Sequence, residues 1–418
     1  MKILFVIDTL YTSGNGTSIS AQRFIGALRK RGHEVRALCG DTPKTEDDKH
    51  ITDGDFCAGV LHFFYHLCAK FDFFYGKPNK KVIKEACDWA DVVHVTTPLF
   101  LGNATIKYCV ENDKHVTAAF HIQPENITGP LCFGWCKPVN DMIYSIFRHV
   151  AYRHIHHVHT PSNFIANMLH THGYTSKMHV ISNGIHDDFI HIDPARFADK
   201  LERRPNGDKD GIFRIMMIGR LSQEKRQDVI LNAMKYSKYA DRIQLVFAGK
   251  GPLYNRYMRQ IRSLKLKHQP EFVYLKRPQL IDALLDCDLY IHASDMEIEA
   301  ISCIEAFATG LVPIIADSAL SATPQFALDE RSLFKAGDPK DLARAIDYWL
   351  ERPTERHEME KRYASAANKY SLSNSILLFE QMLNAELNEK KNISIAAERT
   401  TVFSALKRRV IRLYKRIA

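Results

Sequence analysis

Nowhere in the 418 residues do about 18 consecutive apolar residues occur, so no segment reads as a membrane-spanning helix. A disulfide framework is missing too. The nine cysteines are odd in number and scattered from Cys39 to Cys303, mostly inside apolar runs where a thiol packs as a small hydrophobe, so a reducing cytoplasm is the expected setting. Cys132 and Cys136 stand at a zinc-compatible spacing, but no second pair lies near them and no metal site is expected there. The opening apolar run stops at Asp8, too short for a signal-peptide core, and is expected to be a buried first strand.

What is present describes a well-buried globular chain, with 45% hydrophobic and 25% charged residues. Its length predicts two large domains or three small ones. A formal charge of +9, from 57 Lys and Arg against 48 Asp and Glu, favours anionic partners: nucleotides, phosphates, nucleic acid or acidic lipid. Nucleic acid is set aside, because the basic residues do not interleave with a recognised nucleic-acid module.

Short apolar strands alternate with helical stretches, the mark of parallel βαβ units. Residues 3–7 read as a strand, followed by a loop carrying Gly14 and Gly16 and a helix that stops at Gly32; strands at 35–38, 92–95 and 116–120 continue the theme. Residues 199–211 carry almost no apolar material and read as an exposed connection. Five more strands follow, at 213–218, 243–247, 272–275, 289–291 and 312–315, interleaved with helices at 227–236, 253–264, 280–286 and 302–309. Two doubly wound α/β domains are therefore expected, with ligands in a cleft beyond the carboxyl ends of the strands. A further helix is expected over 371–386. Residues 401–418 hold Lys407, Arg408, Arg409, Arg412, Lys415 and Arg416 with no acid, and their apolar residues recur at three and four positions. That stretch fits either a helix lying on anionic lipid or one docked on the protein itself.

Chemistry concentrates at two strand ends. After 213–218, Gly219 permits a close turn, and the cations Arg220 and Lys225 can converge on a diphosphate and neutralise its growing charge as it leaves. After 289–291, an acidic loop carries Glu297 and Glu299, and a small-residue helix then opens whose N-terminus suits a pyrophosphate. Glu305 can accept hydrogen bonds from ribose hydroxyls, although Ser302 and Glu305 also have capping-box spacing, in which the carboxylate would only satisfy the backbone. His121 follows the 116–120 strand at a polar corner, one of 20 histidines. The cluster His149, His154, His156, His157 and His159 reads as a basic helix surface instead of a metal site.

These residues together resemble the family 4 glycosyltransferases (group 1 glycosyl transferases), retaining nucleotide-sugar enzymes of the GT-B fold. The resemblance rests on the glycine loop, Gly32-His33-Glu34-Val35, Ala90-Asp91-Val92-Val93-His94, His121, Ser182-Asn183-Gly184-Ile185, Gly219-Arg220 with Lys225, Ala248-Gly249-Lys250-Gly251-Pro252, and the pair Glu297 and Glu305. It implies two Rossmann-like parallel-sheet domains facing a central cleft: 1–190 for the acceptor, a linker at 191–212, 213–375 for the donor, and C-terminal helices over 376–418. It implies that Arg220 and Lys225 hold the donor diphosphate, Glu305 the ribose, and Glu297 a hydroxyl of the sugar. His121 would touch that sugar from the opposite domain. Gly14, Gly16 and Gly219, with the backbone at Ala300 and Ile301, would approach the donor. The family usually has an aromatic and a glycine two and three positions after the first glutamate; here Glu299 and Ala300 stand there.

The resemblance also implies attack from the face the diphosphate leaves, the diphosphate itself taking the acceptor's proton. No protein nucleophile and no cofactor are then needed. Asp53-Gly54-Asp55 superficially resembles a metal-binding carboxylate pair, but lies far in sequence from the phosphate residues, and metal independence is expected. The aromatic segments 61–66 and 71–76, followed by Lys77, Lys80, Lys81 and Lys84, would suit a glycan or lipid-linked acceptor at a membrane interface, as in polysaccharide or glycolipid assembly, or simply two core helices. The alternatives are a GT-B sugar-nucleotide epimerase and a non-catalytic nucleotide-sugar-binding protein.

Overall fold

A computed structural model describes residues 1–11, 16–42, 54–61, 74–129, 136–193, 195, 196, 198 and 207–389. Gly14, Asp53, Cys132, most of the aromatic segments, residues 199–206 and the basic stretch 401–418 lie outside the described residues.

The first domain is a seven-stranded sheet of β1 (Lys2–Ile7), β2 (Glu34–Cys39), β3 (Phe56–Cys57), β4 (Val92–Val95), β5 (Val116–Ala119), β6 (His157–Thr160) and β7 (Lys177–Val180), in the order β3-β2-β1-β4-β5-β6-β7. Every pairing is parallel, with Ile3 beside both Val35 and Val92. Alternate residues of β1 serve opposite faces, Leu4 and Val6 in one core and Ile3, Phe5 and Ile7 in the other. A strand buried on both sides must be apolar throughout, which is why β1 reads as an uninterrupted run.

The second domain has β8 (Phe213–Ile218), β9 (Ile243–Ala248), β10 (Glu271–Val273), β11 (Leu289–His292), a short β12 (Met296–Glu297), β13 (Val312–Asp317), a short β14 (Leu320–Ser321) and β15 (Leu333–Lys335). Six of them form a parallel sheet in the order β10-β9-β8-β11-β13-β15, while β12 and β14 pair as a separate ribbon. Both large sheets start a new half at their first strand, where connections diverge to left and right. The crevice beyond those strand ends is where α/β sheets bind ligands.

The chain crosses between the domains twice, through paired backbone bonds: Ile185 N–H to the Tyr370 carbonyl and Leu372 N–H to the Ile185 carbonyl, each 2.9 Å. The helix Leu372–Asn388 thereby returns to the first domain. Its Ile376, Phe379, Met382 and Leu383 form one apolar face within the core of β1 and β2, and Phe379 stacks on Phe5 with ring centres 5.7 Å apart.

The histidine cluster differs from the sequence expectation. His157 and His159 lie in β6, buried, while His149 is in the last turn of the helix Lys137–Val150 and His154 ends the short 3-10 turn Tyr152–His154. An imidazole ring packs as an aromatic, so alternation with Val158 and Thr160 builds an inner strand that reads as polar in sequence.

Candidate active site

The loop after β8 is pressed against the loop after β9. Gly219 N–H bonds the Ala248 carbonyl at 3.0 Å, Leu221 N–H the Lys250 carbonyl at 3.1 Å, and Leu253 N–H the Leu221 carbonyl at 3.0 Å. A Cβ at Gly249 would lie 2.1 Å from the Gly219 oxygen, and one at Gly251 2.3 Å from the Leu221 oxygen, so both glycines are required by close approach. The Arg220 carbonyl is held by Gln227 Nε2 at 2.9 Å and Ser222 N–H at 2.9 Å. Lys225 ends a short 3-10 turn, Gln223–Lys225, and its methylenes lie over Gly219.

From there Lys225 Nζ reaches Glu297 Oε1, and His292 Nε2 at the end of β11 meets the same oxygen at 3.0 Å. Burial alone would raise the Glu297 pKa, but the Lys225 ammonium and the His292 hydrogen bond outweigh it and hold the carboxyl well below its usual range. Burial lowers the pKa of His292, so the imidazole is neutral and donates its Nε2–H. A second tie binds the two loops: Asp295 N–H to the Glu224 carbonyl at 2.8 Å and Arg226 Nη1 to Asp295 at 3.0 Å.

Ala300 takes the left-handed conformation, φ 71° and ψ 67°, and the helix Ile301–Ala308 starts immediately after it. This is the conformation for which glycine is the usual residue, and here an alanine adopts it. The helix has no side-chain cap, so Glu305 is not engaged in a capping box with Ser302. Its carboxylate turns to Arg23 Nη2 of the first helix, Gly16–Lys30, at 3.4 Å across the domain boundary, while Arg23 Nη1 donates to the Gly184 carbonyl at 3.2 Å. Burial raises the Glu305 pKa against the opposing pull of Arg23. Glu305 borders a cavity of about 760 Å³ with Arg23, His186 and Arg277, which none of Arg220, Lys225 and Glu297 lines. Lys225 and Glu297 are thus brought together, while Glu305 is paired with Arg23.

His121 lies just beyond β5, buried, its ring 5.1 Å from that of His159. Burial and then repulsion from His159 hold its pKa well below the normal value, so it is neutral. Gly16 begins the first helix. Among the described residues, no three His, Cys, Asp or Glu side chains gather as a metal site would require, and no helix is long and apolar enough to cross a membrane. The sequence reading gave no role to Arg23, His292 or Asn183. His292 carries a usable signal, as a strand-end histidine five positions before Glu297, whereas Arg23 looks like any exposed helix cation.

The family model described as "Glycosyl transferases group 1" matches residues 199–369, and that described as "Glycosyltransferase Family 4" matches residues 14–189. The chain belongs to the group 1, family 4 glycosyltransferases. This glycosyltransferase is 24% identical over 325 residues to the alpha-monoglucosyldiacylglycerol synthase of Streptococcus pneumoniae, covering 76% of this chain and 71% of that one. The catalytic domain of the cholesterol-alpha-glucosyltransferase of Helicobacter pylori is 46% identical, covering 38% of this chain and 99% of that structure, with a TM-score of 0.37. Anabaena HepE in complex with UDP shares the whole architecture: 15% identity, 92% and 100% coverage, TM-score 0.71. The glycosyltransferase therefore has the GT-B arrangement of two facing Rossmann-like domains.

Proposed function

We propose that this glycosyltransferase moves a hexose from a nucleotide sugar of the UDP class to a hydroxyl of a glycan or lipid-linked acceptor, with retention and without a metal ion. The observation that carries the reading is the Lys225, Glu297 and His292 cluster at the adjoining ends of β8 and β11. A cation whose partner carboxylate stays ionised can neutralise a leaving diphosphate while the carboxylate accepts a sugar hydroxyl, the two charges being fixed before the substrate arrives. Arg220 would share the diphosphate, Glu305 would take the ribose once it exchanges Arg23 for hydroxyl groups, and His121 would meet the sugar from the first domain as a neutral donor.

In the proposed reaction the acceptor oxygen bonds to the anomeric carbon as the bond from that carbon to the phosphate oxygen breaks, and the acceptor's proton passes to the departing phosphate oxygen. The UDP class is supported by the bound UDP of HepE, and a lipid acceptor by the pneumococcal relative, an alpha-monoglucosyldiacylglycerol synthase. Exposed Lys77, Lys80, Lys81 and Lys84 supply a cationic edge suited to the cytoplasmic face of an anionic membrane. The test is nucleoside diphosphate release from a panel of nucleotide sugars, with and without diacylglycerol vesicles and with a chelator. Release from a UDP-hexose that requires the acceptor and survives chelation is expected. Chelator-sensitive turnover overturns metal independence, and release of free sugar at the same rate without any acceptor overturns transfer.

A further inference from the structure

Between Glu297 and the helix Ile301–Ala308, two consecutive residues turn to the other domain. The Ile298 carbonyl accepts from Ser162 Oγ at 2.7 Å, and Glu299 Oε2 accepts from both the backbone N–H and the side-chain amide of Asn183, at 2.9 and 2.8 Å. Glu299 is 1% exposed; its other oxygen, Oε1, makes no hydrogen bond of normal geometry, and burial pushes the carboxyl pKa up to about 7 against the pull of the Ser182 hydroxyl and Asn183. A buried carboxylate with an orphaned oxygen destabilises the fold. An apolar side chain of similar volume would avoid that cost, so stability alone does not account for a glutamate here.

We propose that Glu299 is a positioning residue that clasps the 296–300 loop to Asn183 of the first domain, and so sets where Glu297 meets the donor sugar. This rests on the reading of Glu297 as a sugar contact. The clasp and Glu297 are separated by one residue, so any shift of the first domain reaches Glu297 through a short, strained path: Ala300 is fixed in the left-handed region on one side, and Lys225 and His292 fix Glu297 on the other. Because one oxygen accepts both bonds, a neutral amide oxygen can replace it. Glu299→Gln keeps the clasp and Glu299→Met removes it at similar volume.

The experiment measures affinity for UDP and for the UDP-hexose that the wild-type chain binds, together with kcat and KM. Glu299→Met is expected to leave UDP affinity within twofold, to weaken the sugar nucleotide relative to UDP by about tenfold and to lower kcat, whereas Glu299→Gln stays within about threefold of wild type throughout. Asn183→Ala, which spares the backbone bond, gives an intermediate loss and serves also if Glu299→Met does not fold. Wild-type sugar discrimination in Glu299→Met, or equal damage in folded Glu299→Gln and Glu299→Met, overturns the clasp. If instead Glu297→Gln leaves the preference for the sugar nucleotide over UDP unchanged while Glu299→Met weakens it, the sugar-contact reading of Glu297 fails and the clasp acts by another route.

Discussion

The pairing of Lys225 with Glu297 can be measured without any substrate. Their side chains are 19% and 12% exposed, so each is largely withdrawn from water. Removing one partner of a fully buried pair costs about 3–5 kcal/mol, because the survivor is left uncompensated. Partial exposure lowers that to about 2–3 kcal/mol here. In Glu297→Gln the amide oxygen can still accept from His292, but Lys225 loses its counter-charge; in Lys225→Met the carboxylate keeps only His292. The double variant leaves no uncompensated charge, so it should cost less than the two singles summed, with a coupling of about 1–3 kcal/mol in urea denaturation at pH 7. The sign of the pH dependence follows from the depressed Glu297 pKa. Between its folded value and the ordinary carboxylate value the unfolded chain binds more protons, so this contribution is complete at neutral pH and is lost as pH falls through the folded pKa. The gap between wild type and Glu297→Gln should therefore narrow in acid. Single-variant losses that add to within about 0.5 kcal/mol of the double would refute the coupling.

Ala300→Gly should stabilise the second domain: the left-handed backbone costs alanine about 1–2 kcal/mol and glycine's extra chain entropy returns about 0.5–1, leaving up to about 1 kcal/mol as a rise in Tm. A fall in Tm would show that the alanine methyl contributes packing that the backbone argument omits. Gly249→Ala forces a methyl within 2.1 Å of the Gly219 oxygen and should destabilise by at least about 2 kcal/mol, whereas Gly26→Ala, with nothing within 4 Å and a helical backbone, should be neutral or stabilising by about 0.5–1 kcal/mol. Similar melting curves for the two would contradict the close approach of the loops.

Strands were legible where burial on both faces leaves a mostly apolar run, unbroken in β1 after Lys2 and interrupted by a single polar residue in β4, β8 and β9. β6 and β7 escaped because His157, His159, Thr160, Lys177 and His179 interrupt the apolar signal, and a histidine that will be buried is written no differently from a solvated one. β3, β12 and β14 are two residues each, too short for any periodicity. At the site, Lys225 and Glu297 stand 72 positions apart, and only the sheet order that sets β8 beside β11 makes them neighbours. Glu299 was visible as a departure from the family pattern, but its partner Asn183 lies in the other domain, 116 positions away, where no local rule reaches.

The histidines of the first domain bear on where the proton goes. In the first domain His94, His121 and His159 form a row, with ring centres 6.0 Å apart for His94 and His159 and 5.1 Å for His121 and His159. Burial, then repulsion among the rings, holds His94 and His121 well below the normal value; burial takes His159 down to about 4, partly opposed by its bond to the Ile181 carbonyl. A proton placed on His121 would enter a buried position beside another imidazole, with no carboxylate paired to it among the described residues. His121 is therefore a poor proton acceptor at neutral pH, while the second domain holds the cluster of Lys225, Glu297, Arg226 and Asp295. In the proposed reaction negative charge grows on the leaving phosphate oxygen, which makes it a better proton acceptor than the buried, neutral His121 even though Lys225 beside it tempers that basicity. Proton transfer to the leaving group, and not to His121, is what this distribution favours.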